Sequence, residues 1–257
     1  MFNLEESRKF VEAVDLKGTP RGLVAMAATD DATTVLDKAK NQAQVVGSTL
    51  FSFEAGVDVD VRGSISDSAL LAQLVANKRS SAEEDPLKWF AEYSVVLQNT
   101  GWVLQDRQFT DYSADGQAVE VHEKIVELMA VVLGPAPAAA AIVGAAVTAL
   151  KGMKPDSPWI SIFSREAVKA KIARFQVGFV EQDPTGATFV TLLACLMTAS
   201  NTITQVLFFK YRSANARFQA RSEKVSINRE ALVALRADIQ KQVRAYQQDY
   251  LSKVLDI

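Results

Sequence analysis

The 257-residue chain has a single cysteine and a single histidine, and only 8% of its residues are aromatic. One cysteine forms no internal disulfide, so the fold does not depend on oxidation and is compatible with a reducing compartment. One histidine, His122, excludes a histidine-rich zinc site and obliges any Ser–His–acid or Cys–His triad to use that residue. A charge imbalance is missing too: 28 basic residues face 30 acidic ones, net −2, with no long run of either. That balance leaves no electrostatic footprint for nucleic acid or anionic lipid. Nor does the chain contain a Walker loop, a G-x-G-x-x-G after a strand, a C-x-x-C or an H-E-x-x-H. The opening "MFNLEESRKFVEAV" places Glu5 and Glu6 where a classical signal peptide has its basic end. We therefore expect a protein made in the cytoplasm, with export by a signal-independent route left open.

What is present is a core: 49% of residues are hydrophobic and 23% charged, as in an ordinary globular protein. One domain over 1–257 is expected, with 1–65 as a peripheral N-terminal segment. Apolar residues at three- and four-residue intervals predict helices near 5–15, 31–53 and 66–79, with Ser66 as N-cap of the third. "GVDVDVRGSI" alternates and reads as a short strand or extended loop. In "EDPLKWFAEYSVVLQNTGW", Asp85 can cap a helix, Pro86 fits its first turn and Gly101 closes its end. Trp89, Phe90, Tyr93, Val96 and Leu97 then share one face. "WVLQDRQFTDY" reads as a strand ending at the turn "SADGQ".

The most apolar stretch, "VHEKIVELMAVVLGPAPAAAAIVGAAVTALKGM", is broken by Gly134, Pro135 and Pro137 into helices over 121–133 and 137–151. Neither approaches the ~20 uninterrupted apolar residues that a bilayer demands. From Val168 the period changes. "VKAKIARFQVGFVEQ" alternates, "DPTG" turns, and "ATFVTLLACLMTA" follows as a strand apolar on both faces, which must be covered on both. "ITQVLFFKYR" and "ARFQARSEKVSI" extend an antiparallel meander. Asn228 can cap a last helix reaching about residue 255, with Leu232, Leu235, Ile239, Val243, Tyr246, Tyr250 and Val254 as its stripe. The fold class is therefore α+β: a mainly antiparallel sheet of about five strands, helices on both faces, and a long C-terminal helix.

Candidate chemistry is sparse. His122, beside Glu120 and Glu123 near a helix start, reads as an exposed imidazole. Glu181, Asp183 and Asp106 or Asp111 lie at turns and strand ends, where solvated acids are expected. Phe175, Phe179, Phe189, Phe208 and Phe209 fall on strands, where core packing is the default. Cys195 shares parity with Phe189, Leu193 and Met197, so its sulfur points into an apolar layer. Burial there raises a thiol's pKa and leaves it inert. A thiol in such a layer is also a place where a fatty acyl chain can be held as a thioester. At ~0.8 kcal/mol per buried methylene, about 14 methylenes contribute on the order of 10 kcal/mol.

The order "WFAEYSVVLQNTGWVLQD", "RFQVGFVEQDPTG", "TLLACLMTAS" and "VLFFKYR", followed by a terminal helix, resembles the Evf-type bacterial virulence factors, which promote persistence in the insect gut. The resemblance covers about residues 66–255. It implies helices around a sheet and a palmitoyl group on an interior cysteine, a position that Cys195 alone can match. Phe175, Phe179, Phe189, Leu193, Met197 and Phe209 are the expected lining of the acyl pocket. On this reading the protein is a non-enzymatic virulence or toxin-associated factor with no metal and no cofactor beyond covalent palmitate. Its partners would be a host membrane or a toxin component, not nucleic acid. Two alternatives stand beside it: a pore-forming toxin component that inserts the 125–151 hairpin, and a small-molecule hydrolase.

Overall fold

Two apolar layers, one on each face of a single sheet, organise the molecule. The computed structural model describes residues 2–19, 35–80, 85–104, 108–112, 118–154, 156–212 and 214–257. The chain opens with α1 (Leu4–Glu12), capped by Asn3, whose side chain accepts from the Glu5 and Glu6 amides. A hairpin follows, β1 (Gln42–Val46) and β2 (Thr49–Phe53). The helix expected over 31–53 is thus two strands from residue 42 on; positions 31–34 lie outside the described residues. Gly47, at φ +53, and Ser48 form the two-residue turn between the paired Val46 and Thr49. The β-branched and aromatic residues on either side favour a pleated surface over a helix.

Helix α2 (Val59–Arg79) begins at Asp58, inside the stretch expected to be extended, so Ser66 is no cap. Ser66 lies mid-helix, where its hydroxyl donates to Gln44 Oε1 at 2.9 Å. Residues Val61 to Ala76 are buried on every side, so this helix lacks the single apolar stripe that would have fixed its start. Helix α3 (Pro86–Asn99) fits its punctuation: Asp85 accepts from the Lys88 amide, Pro86 sits in the first turn and Gly101 has φ +98. Its five predicted face residues are all buried. The strand expected after it is two short pieces, β3 (Trp102–Val103) and β4 (Thr110–Tyr112). The "SADGQ" turn, 113–117, lies outside the described residues.

Next come β5 (Val119–Glu120), α4 (Val121–Leu133), α5 (Pro137–Gly152) and α6 (Pro158–Ala167). The α4–α5 hairpin has its predicted bounds to within a residue, whereas nothing in the sequence reading anticipated α6. Among the described residues no helix is long and apolar enough to cross a membrane. Then follow β6 (Val168–Lys169), β7 (Ile172–Gln182), β8 (Thr188–Ala199), β9 (Lys210–Tyr211) and β10 (Ala216–Ile227). Instead of the strand expected from "ITQVLFFKYR", a 3-10 turn at Val206–Phe208 precedes the two residues of β9. The last helix also stops early. Helix α7 (Arg229–Val243), capped by Asn228, is followed by a short α8 (Gln247–Tyr250) and by β11 (Leu255–Asp256). The stripe residues Tyr246, Tyr250 and Val254 stay buried across the break. Side-chain spacing alone therefore did not reveal the break.

The sheet has nine strands among the described residues rather than about five, in the order β11-β1-β2-β7-β8-β10-β3, with β4 on β10 and β6 on β7. The β7–β8–β10 meander is antiparallel as expected, while β2 joins β7 in parallel. A separate pair, β5–β9, lies outside it. Alternation along β8 places Val190, Leu192, Ala194 and Leu196 in the layer under α1, α2, α3 and α7. Leu193, Cys195 and Met197 face the layer under α4, α5 and α6.

Candidate functional site

Cys195 sits in the middle of β8, opposite Phe175 on β7 and Ala220 on β10. No part of it is exposed. Burial pushes the thiol well above its ordinary value, so the sulfur stays protonated and a poor nucleophile. Around it the α4–α6 layer gathers Phe175, Phe179, Leu193 and Met197, with Phe209 half-buried at its margin. Phe175 meets Phe163 of α6 edge-on, with ring centroids 5.9 Å apart, so helix and strand lock together over the thiol. Five of the six expected lining residues are thus brought to one layer.

Phe189 is not. It shares the face of Cys195 but lies six residues away at the start of β8, half-buried, with Lys224 Nζ 5.1 Å from its ring centroid. Period-two parity assigns a face correctly and says nothing about distance along the strand.

One residue of this region escaped the sequence reading. Tyr211 of β9 is 1% exposed, and its hydroxyl has no hydrogen-bond partner among the described residues. Its ring packs beside Phe218, the β10 neighbour of Met197, with centroids 5.8 Å apart. Burial raises the phenol's pKa, and the nearby Glu127 and Cys195 add to the effect. A buried hydroxyl with nothing to bond is costly, about 1–3 kcal/mol, and marks a place where an acceptor would be welcome. The sequence signal was faint, since a lone tyrosine after "FFK" reads as one more core aromatic.

The remaining candidates are structural ties. Glu120 lies 3.1 Å from His122 Nδ1 and 3.3 Å from both Lys151 and Lys210, and Lys151 reaches His122 Nε2 at 3.2 Å. This cluster binds the base of the α4–α5 hairpin to β9. Asp111 of β4 pairs with Arg217 on the neighbouring β10, and Glu181 of β7 pairs with Lys224 of β10 across the intervening β8. Asp183 staples the β7–β8 turn by accepting from the Thr185 and Ala187 amides. Asp106 lies outside the described residues.

No protein-family model and no curated protein matches the chain. Among solved structures, the Evf virulence factor aligns over 96% of this chain and 89% of its own, at 12% identity and a TM-score of 0.36. A delta-endotoxin aligns over 80% of this chain and 89% of its own, at 15% identity and a TM-score of 0.34. Similarity this loose assigns the chain to neither family.

Proposed function

We propose that this protein is a non-enzymatic virulence or toxin-associated factor that carries a fatty acyl chain as a thioester on Cys195. What supports the reading is one juxtaposition: a fully buried thiol in a helix-covered apolar layer, with the unpartnered Tyr211 hydroxyl in the same layer. An acyl thioester offers what both groups lack. Its hydrocarbon suits a layer lined by Phe175, Phe179, Leu193 and Met197, and its carbonyl oxygen would accept from Tyr211.

Formation requires transfer from an acyl-thioester donor. The Cys195 sulfur bonds to the acyl carbon, the donor's carbon–sulfur bond breaks, and the thiol proton ends on the departing thiolate. Because burial keeps the folded thiol protonated and covered, transfer has to precede closure of α4–α6 over the sheet. The lipid would then be a component of the core, released to a membrane only if that layer opens.

Intact mass of protein purified from its native host, before and after neutral hydroxylamine, tests the proposal. The expected result is a fatty-acyl increment that hydroxylamine removes and that is missing in Cys195→Ala. An unmodified mass with a titratable free thiol would overturn it.

A further inference from the structure

The layer between the sheet and α2–α3 contains a buried polar network where the β1–β2 turn meets β7. Backbone groups set its polarity. The Ser48 amide donates to Gln73 Oε1 at 2.8 Å, and Gln73 Nε2 donates to the Val46 carbonyl at 2.7 Å, so the orientation of this amide is fixed. Gln73 Nε2 also approaches Thr49 Oγ1 at 3.4 Å, and that hydroxyl passes its own proton to Gln176 Oε1 at 2.8 Å. The chain of donors ends there. Gln176 Nε2 is left buried with no partner among the described residues.

Arg174 lies two residues earlier on the same face of β7 and is 3% exposed. Its guanidinium lies over the Trp89 ring, 3.6 Å from the centroid, and Nη2 donates to Asn77 Oδ1 at 2.8 Å. That oxygen already accepts from Trp89 Nε1. Arg174 Nε is buried without a hydrogen-bond partner among the described residues. Among the described residues no carboxylate is paired with it; Glu166 acts from further off and is itself bound to Arg165 at 2.7 Å. Burial pulls the guanidinium down to about 9, as expected of a cation whose charge is poorly compensated. The Tyr93 ring is fully buried close by, with its hydroxyl beside Thr49.

The network therefore holds two buried N–H donors, Arg174 Nε and Gln176 Nε2, without an acceptor among the described residues, together with one formal positive charge. A water molecule brings two lone pairs, two more protons to place and no charge. A monatomic anion accepts from several donors at once and neutralises the guanidinium. We propose that a halide-sized inorganic anion, chloride under cellular conditions, binds between Arg174 Nε and Gln176 Nε2, beneath Trp89 and Tyr93. This site lies on the opposite face of the sheet from Cys195 and does not depend on acylation.

Thermal unfolding of the intact protein in sodium chloride, against sodium gluconate at equal ionic strength, tests it. Above the dissociation constant, Tm should rise by about 3–5 °C for each tenfold increase in free chloride. Gln176→Glu, which supplies a carboxylate to Arg174 in place of the ion, should fold and lose this dependence. Bromide-soaked crystals of the unaltered protein should give an anomalous peak beside Arg174, a readout that needs no variant. Equal Tm in the two salts, chloride dependence retained in Gln176→Glu, or bromide found on the surface alone would each overturn the proposal.

Discussion

Gly178 shows how tightly individual side chains are placed in this fold. A Cβ built there would lie 2.6 and 2.7 Å from the Cδ1 and Cε1 atoms of Phe51. That ring is fully buried and packs against Phe53 and Trp102 at centroid distances of 6.0 and 6.4 Å, so it has nowhere to retreat. Gly178→Ala should destabilise the protein by about 1–3 kcal/mol through overpacking, read as a lower urea midpoint at unchanged slope. At this scale the sequence was informative about direction and silent about distance. Cys195, Leu193 and Met197 point where strand parity placed them, whereas Phe189 obeys the same parity and lies too far along β8 to join them. Arg174, Gln176 and Tyr211 matter through bonds that they fail to make, and no linear pattern records an unmade bond.

Helix ends carry the clearest link between sequence and element. The Gly101 turn after α3 is pinned to the start of α7: the Asn228 amide donates to the Gly101 carbonyl at 2.8 Å, and a Cβ on Gly101 would lie 3.1 Å from the Asn228 carbonyl oxygen. Gly101→Ala combines that approach with a φ of +98 and should cost about 1–3 kcal/mol, measurable by denaturant titration. Elements with chemical punctuation were legible: Asp85, Pro86 and Gly101 around α3, Gly134 to Pro137 between α4 and α5, Pro184 and Gly186 between β7 and β8. Elements resting on residue pattern alone divided: α1 and β10 came close to their expected places, while those between residues 42 and 65 did not. The β1–β2 hairpin and the first turns of α2 exchanged identities because Val45, Val46, Leu50 and Phe51 satisfy helical spacing, while Val57, Val59 and Val61 alternate. Tertiary burial decided both cases, since β1 and β2 pair within the sheet and α2 is enclosed on all sides.

For the molecule as a whole, ion pairs tie distant parts of the chain together at the surface. Asp58 is held below the ordinary aspartate range first by Lys38 and also by Arg229, Asp111 by Arg217, and Asp256 by Lys40 and Gln42. Each ionises more readily folded than unfolded, so its contribution is complete above the unfolded value and is lost as pH falls through the folded one. Glu54, raised first by burial and then by Glu181, has the opposite sign: its contribution is present at low pH and lost as pH rises. The lowered aspartates outnumber it. The urea midpoint should therefore decline as the pH drops below about 4, and a midpoint that held or rose there would contradict this reading.

The parallel pairing of β2 with β7 also orders events in time. Thr49 must wait for Gln176, more than a hundred residues later, and the other edge of the hairpin waits for Leu255 and Asp256. A nascent chain emerging from the ribosome thus carries a greasy, unpaired ribbon through most of its synthesis. Shielding of that ribbon by a chaperone, rather than the speed of any local step, is what should limit the yield of native protein.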